Sequence, residues 1–259
     1  EGGLLGVVKH PSYDSNGLIY LYYTYQEGGD VLNKVVRYEW TGSELIFNQT
    51  IIESISGGRV HNGGRIEFGP DGLLYVTVGD AGNSALAQDL DSLAGKILRL
   101  NPDGSVPVDN PFNDFVYSYG HRNPQGLAWD ETGDLWATEH GSTATDELNK
   151  IIKGVNYGWP IIRGAEEQEG LQSPVIQSGS TTWAPSGLTY HEGSLYFTGL
   201  RGQTLYEYRE GELITHYDKI FGRLRAVVSH EGGLYLLTSN RDGRGVPLQG
   251  DDKLIKVNP

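Results

Sequence analysis

Asp71-Gly72-Leu73-Leu74-Tyr75-Val76-Thr77 reads as a tight turn feeding a short apolar strand that ends on threonine. The same pattern recurs at Asn16-Gly17-Leu18-Ile19-Tyr20-Leu21-Tyr22-Tyr23-Thr24, Gly133-Asp134-Leu135-Trp136-Ala137-Thr138, Gly193-Ser194-Leu195-Tyr196-Phe197-Thr198 and Gly233-Leu234-Tyr235-Leu236-Leu237-Thr238. Each copy follows another apolar stretch: Leu4 to Val8, Arg65 to Phe68, Gly126 to Trp129, Gly187 to Tyr190 and Leu224 to Val228. Each precedes a mixed one: Lys34 to Tyr38, Lys96 to Leu100, Glu147 to Ile152, Thr204 to Tyr208 and Lys253 to Val257. The unit is strand, turn, strand, loop, strand, with room for a fourth strand. Glycines aligned at the first strand (Gly3, Gly64, Gly126, Gly187) lie 61, 62 and 61 residues apart. Several strands per unit at such a period predict an all-β fold, a β-propeller with five readable blade units. No interior linker interrupts residues 1–259, so a single domain is expected.

Composition agrees and narrows the function. With 37 Gly and 16 Tyr among 259 residues, the chain favours short strands and tight turns. A net charge of -13 makes nucleic acid an unfavourable partner. No apolar run reaches the roughly 20 residues of a membrane span. The absence of Cys excludes disulfides, thiolate metal sites and a cysteine nucleophile. The chain begins at Glu1 and holds no Met, so a leading segment is expected to have been removed; with the triplet Asn48-Gln49-Thr50 this points to a periplasmic or extracellular protein.

The first two strands of a unit are antiparallel, so residues entering the first and leaving the second share one end of the blade. Those positions collect Glu1, His61-Asn62, His121-Arg122-Asn123, Trp183 with Ser186, and Arg223 with Arg225. They also collect Asp80, Glu139-His140-Gly141, Arg201 and Asn240-Arg241-Asp242-Gly243-Arg244. Six of the twelve arginines fall in these few loops of an acidic chain, which suits a small polyanionic ligand. His61 reads either as a general base supported by Asp80 or as a residue capping a turn. Without cysteine, and without paired-histidine spacing, metal ligands must be oxygens. Asp146-Glu147 after Gly141-Ser142 could offer carboxylate and carbonyl groups to Ca²⁺, or be merely solvated.

At these loops the chain resembles the soluble pyrroloquinoline quinone (PQQ)-dependent sugar dehydrogenases, especially the aldose sugar dehydrogenases of bacteria and archaea. The resemblance runs through Gly3-Leu4-Leu5-Gly6, His61-Asn62-Gly63-Gly64-Arg65, Gly79-Asp80, Leu93-Ala94-Gly95-Lys96-Ile97-Leu98-Arg99 and Gly120-His121-Arg122-Asn123-Pro124-Gln125-Gly126. It continues through Glu139-His140-Gly141, Asp146-Glu147-Leu148-Asn149, Asn156-Tyr157-Gly158-Trp159-Pro160 and Trp183-Ala184-Pro185-Ser186. It ends with Phe221-Gly222-Arg223-Leu224-Arg225, Ser239-Asn240-Arg241-Asp242-Gly243-Arg244-Gly245 and Gly250-Asp251-Asp252-Lys253.

The resemblance implies a six-bladed propeller lacking here its first blade, and a PQQ-dependent dehydrogenase that oxidises the C1 hydroxyl of an aldose to a lactone. By that resemblance His61 is the general base, Asp80 supports it, and Arg122 stands beside the reacting quinone oxygen. Glu1, Asn123, Trp183, Arg201, Arg223 and Arg225 match cofactor-binding positions. Gly141 and Ser142 match the carbonyl ligands of a catalytic Ca²⁺, with serine where proline is usual. Glu147 and Tyr157 match a structural Ca²⁺ site. The implied partners are a small aldose and an electron acceptor that the resemblance leaves unnamed. Open propeller edges, if a blade is absent, would favour self-association. The rival reading is a non-catalytic propeller acting as a binding or assembly module.

Overall fold

The structure, a computed structural model, describes residues 1–258 and contains five antiparallel sheets. They fall into two compact units. The first unit comprises Glu1–Pro124, Ile152–Ile162 and Glu167–Gln172. Its first sheet runs in the order β1 (Leu4–Lys9), β2 (Leu18–Glu27), β3 (Asp30–Trp40) and β4 (Leu45–Ser56), with the one-turn helix α1 (Tyr13–Asn16) between β1 and β2. Its second sheet runs β5 (Ile66–Phe68), β6 (Leu74–Val78), β7 (Lys96–Leu100) and β8 (Val116–Tyr119).

The second unit comprises Gln125–Ile151, Arg163–Glu166 and the residues from Ser173 onward. Its three sheets begin with β9 (Pro124–Trp129), β10 (Leu135–Glu139), β11 (Glu147–Ile151) and β12 (Ile176–Gln177). The next holds β13 (Pro185–His191), β14 (Ser194–Gly199), β15 (Leu205–Arg209) and β16 (Glu212–His216). The last has only β17 (Leu224–His230), β18 (Gly233–Thr238) and β19 (Leu254–Val257). Each sheet is a plain up-and-down meander, as the repeat predicts, and the expected fourth strand is β4, β8, β12 and β16.

Burial explains why the second strands read as continuous apolar runs. All of β6 is buried, and so is all of β10 and β14, because both faces of such a strand are covered. In the first unit Tyr20, Tyr22, Ile55, Ile66, Leu74, Val76 and Leu98 form one core. In the second, Leu148, Trp183, Leu195 and Phe197 form one cluster and Leu205, Leu224, Leu234 and Leu236 another. Apolar side chains stay on the surface at Leu4 and Val7 on β1, Ile214 on β16, and Val228, Leu237 and Leu254 on β17–β19. No helix among the described residues is long and apolar enough to cross a membrane.

The first strands of neighbouring sheets approach backbone to backbone, which accounts for the recurrent glycines. A Cβ on Gly187 of β13 would lie 2.8 Å from both Ala226 Cα and Val227 N of β17. A Cβ on Gly126 of β9 would lie 2.5 Å from the Ser186 carbonyl oxygen. In the first sheet the crowded position is Gly6, whose Cβ would strike the Gly64 carbonyl, and not the aligned Gly3, which faces open space. A register shift between Leu4 and Gly6 in β1 separates the two. Gly187→Ala is therefore expected to cost about 1–3 kcal/mol, since backbone atoms must move to make room. Thermal unfolding measures it, and an unchanged midpoint would show the two strands to be slack.

Candidate active site

The mouth of the β5–β6 hairpin holds His61 before β5 and Asp80 after β6. His61 has φ +58°, an uncommon conformation for a side-chain-bearing residue that costs of order 1–3 kcal/mol unless its surroundings enforce it. Here they do. The Glu1 carboxylate accepts the His61 N–H at 3.2 Å, and the His61 carbonyl accepts the Ala81 N–H at 3.1 Å. The next residue, Asn62, is buried and staples the turn: its Oδ1 accepts from Gly58 N–H (2.9 Å) and Asn33 Nδ2 (3.1 Å), and its Nδ2 donates to the Gly58 carbonyl (2.8 Å). Tyr22, wholly buried on β2, donates its hydroxyl to the Asn62 carbonyl at 2.8 Å. Gly79 closes the other side, because any side chain there would collide with the His61 carbonyl.

Asp80 is 1% exposed and makes every contact a buried carboxylate needs. Oδ1 lies 2.7 Å from His61 Nδ1 and accepts the Gly82 N–H at 2.8 Å, while Oδ2 accepts the Trp159 indole N–H at 2.9 Å. Burial alone would raise the Asp80 pKa. The bonds from His61, Gly82 and Trp159 outweigh it and hold the carboxyl below its usual range. An ionised Asp80 makes Nδ1 the protonated nitrogen of a neutral His61, so Nε2 carries the lone pair. Arg122 stands beside this pair: its carbonyl accepts the Asp80 N–H at 2.8 Å, and its guanidinium lies over the Trp159 ring, 5.4 Å from the centroid. Asn123 is buried, and its Oδ1 accepts the Gly63 N–H at 3.1 Å, bracing the turn after His61.

The second unit carries Arg201, Arg223 and Arg225. Arg223, only 8% exposed, directs Nε (3.0 Å) and Nη2 (2.7 Å) onto Asp242 Oδ2 and Nη1 onto the Leu200 carbonyl (3.2 Å). Arg225 reaches the same oxygen from 3.6 Å and remains partly exposed. Burial pushes the Asp242 carboxyl up, but the Arg223 fork, the Arg244 N–H and Arg225 together hold it down. One carboxylate thus serves two guanidiniums. Arg201 is exposed, with no acidic partner among the described residues. The Trp183 ring is buried against Phe197 (5.4 Å) and Tyr206 (5.5 Å), and its backbone N–H donates to Asp146 Oδ2 (2.7 Å).

Gly141 donates its N–H to Asp146 Oδ1 at 2.9 Å, and the Ser142 Oγ is buried with no hydrogen-bond partner. Glu147 is half-buried. Burial, then the neighbouring Glu139 and Asp146 charges, push its carboxyl up to about 8 despite bonds from Asn149 Nδ2 (3.1 Å) and the Gly164 N–H (3.2 Å). Buried Asn149 leaves its own Oδ1 without a partner. No group of three or more His, Cys, Asp or Glu side chains capable of holding a metal occurs among the described residues. Tyr157 belongs to the first unit, where its hydroxyl accepts the Ile152 N–H at 2.8 Å and its ring stacks on His121 at 4.8 Å.

Sequence reasoning quoted Trp159 in a motif and gave it no part in the site. Its indole reaches Asp80 across 79 residues, from a loop outside the repeat that no spacing rule links to the hairpin. It likewise gave Asn149 no role beside Glu147, although the alternation Glu147-Leu148-Asn149 puts the two polar residues on one face of β11.

Comparisons with known proteins fit this geometry. The family model for glucose/sorbosone dehydrogenases matches residues 1–249. The PQQ-bound aldose sugar dehydrogenase of Streptomyces coelicolor superposes with a TM-score of 0.94 at 42% identity, over 99% of this chain and 79% of that one. The β-propeller of the PQQ sugar dehydrogenases is thus the fold of this chain, and the structure shows five blades of it. Among curated relatives, quinoprotein glucose dehydrogenase B of Acinetobacter calcoaceticus is 35% identical over 66% of this chain and 42% of its own length. An aldose sugar dehydrogenase of Escherichia coli is 36% identical over 77% of this chain and 57% of its own. This chain accordingly spans about half the length of these two relatives. It belongs to the glucose/sorbosone dehydrogenase family.

Proposed function

We propose that this protein is a PQQ- and Ca²⁺-dependent aldose dehydrogenase of the periplasm or cell exterior, oxidising the C1 hydroxyl of an aldose to a lactone. The observation that carries the reading is the 2.7 Å contact between His61 Nδ1 and a buried, ionised Asp80. PQQ, when bound, supplies the two-electron acceptor that no side chain provides. His61 Nε2 takes the hydroxyl proton, and the Asp80 carboxylate stabilises the imidazolium that results. Arg122, fixed over Trp159, offers positive charge to a developing oxyanion.

The residues fit both groups. A tricarboxylate quinone matches the guanidinium groups of Arg201, Arg223 and Arg225. A hard cation matches Glu147, which is crowded by Glu139 and Asp146 and lies beside the unpartnered Asn149 Oδ1. The Gly141 and Ser142 carbonyls would hold the catalytic ion, and Glu147 would serve the structural one.

Titration with PQQ and Ca²⁺ followed by glucose tests the proposal. Reduction of the quinone chromophore is expected, whereas failure to bind PQQ would favour the binding-module reading. Calcium has its own readout. At about 100 times its Kd it should add about 2.7 kcal/mol of stability, or roughly 5–10 °C in midpoint. Glu147→Gln should abolish that gain while leaving the calcium-free protein no less stable, because it removes a charge that burial already disfavours.

A further inference from the structure

Lys96 is the one fully buried lysine among the described residues. It opens β7 opposite Val78 of β6, two residues before Asp80. Its ammonium has three protons, and they go to three main-chain carbonyls: Leu86 at 2.8 Å, Ala87 at 3.2 Å and Ala94 at 2.7 Å. No carboxylate pairs with it directly. Burial pushes its pKa down to about 8, and the more distant Asp89 charge opposes the fall. A desolvated cation of this kind is an expensive way to fill a core position. What it does for that cost is tie down the loop from Asp80 to Gly95, including the 3₁₀ turn Ser84–Ala87.

The tie continues in two directions. The Ala87 carbonyl also accepts the Gly120 N–H at 2.9 Å, which fixes the start of the segment Gly120-His121-Arg122. The adjoining Gln88 pairs its amide with that of Asn156 (3.0 and 2.8 Å) and donates Nε2 to the Trp159 carbonyl at 2.7 Å. Trp159 in turn donates its N–H to the Gly120 carbonyl at 2.9 Å and its indole to Asp80. A continuous set of hydrogen bonds thus leads from the Lys96 ammonium to the carboxylate that orients His61.

We propose that Lys96 is a positioning residue: it anchors the loop 80–95 so that Gln88, Trp159 and Asp80 together set the ring of His61. It touches neither sugar nor cofactor, and the proposal rests on the reading of His61 as the base. Removing the ammonium frees the three carbonyls, lets the loop shift, and moves the Asp80–His61 pair out of alignment, where displacements of about 1 Å cost on the order of 100-fold in rate.

The test uses the full chain with and without PQQ. In the PQQ-free protein the His61 Nδ1 proton, hydrogen-bonded to Asp80, is read by NMR as a resonance far downfield. Lys96→Met keeps the apolar stem and removes the charge. It is expected to move or broaden that resonance and, in the PQQ-loaded protein, to lower kcat about 10–100-fold with KM for the aldose changed less than about threefold. A folded Lys96→Met protein with the wild-type resonance would overturn the proposal. Gln88→Leu cuts the same relay while leaving Lys96 in place, and it decides the matter if Lys96→Met does not fold. The relay predicts a displaced resonance there too, and an unchanged one would overturn it. Because the resonance needs no turnover, a wild-type protein that binds PQQ but oxidises no sugar would count against the proposed activity, while the resonance would still decide whether Lys96 positions the His61 ring.

Discussion

His61→Ala is expected to reduce kcat for aldose oxidation by about 10²–10⁴-fold, the usual worth of a positioned general base. The binding of PQQ should change by no more than roughly threefold, because the arginines that hold an anion are elsewhere in the chain. Asp80→Asn should lose much of the same factor. An amide at 2.7 Å from Nδ1 no longer requires that nitrogen to be the donor, and it cannot stabilise an imidazolium. Reductive half-reaction kinetics on PQQ-loaded protein measure both. Added imidazole should partly restore the alanine variant, which has lost only the base, and should do less for the asparagine variant, which still has a ring in place. Equal activity in wild type and His61→Ala would remove His61 from the chemistry and leave it the role of a turn residue held at φ +58°.

The geometry behind this result was visible in the sequence wherever the repeat governed it. His61 and Asp80 bracket one hairpin, and Arg223 and Asp242 bracket another; in an antiparallel pair such positions must meet at one end, and they do. The strand order of every sheet followed from the same repeat. Legibility failed where the structure depends on pieces outside it. Trp159 arrives on a loop, so its bond to Asp80 has no periodic signature. Gly3 matched the glycine spacing while Gly6 carries the close approach, because a register shift in β1 displaces the geometry and not the count. Lys96 stood in a motif as a strand residue, and nothing in one dimension shows that three carbonyls converge on its ammonium.

Arg223→Met is expected to have two effects that separate on further substitution. It removes both bonds to Asp242 and the bond to the Leu200 carbonyl, leaving Asp242 to Arg225 at 3.6 Å, the Arg244 N–H at 2.9 Å and the Ser239 hydroxyl at 3.5 Å. Breaking a largely buried ion pair costs about 3 kcal/mol, toward the low end of its range here because those partners remain. For a chain of this size the unfolding midpoint should fall by roughly 6–12 °C. The affinity for PQQ should weaken about 10–100-fold, the worth of one hydrogen bond to a charged group. The double substitution Arg223→Met with Asp242→Leu then distinguishes the causes. Replacing both members of a buried pair by apolar residues removes the stranded carboxylate, so most of the lost stability should return. PQQ affinity should not return with it, because the guanidinium that meets the anion is still missing. If affinity recovered along with the midpoint, Arg223 would be a strut for the β17–β18 turn and the anion would be held by Arg201 and Arg225 alone. If neither recovered, the two apolar side chains do not pack in that space, and Arg223→Lys, which keeps the charge but not the fork, would decide between charge and geometry.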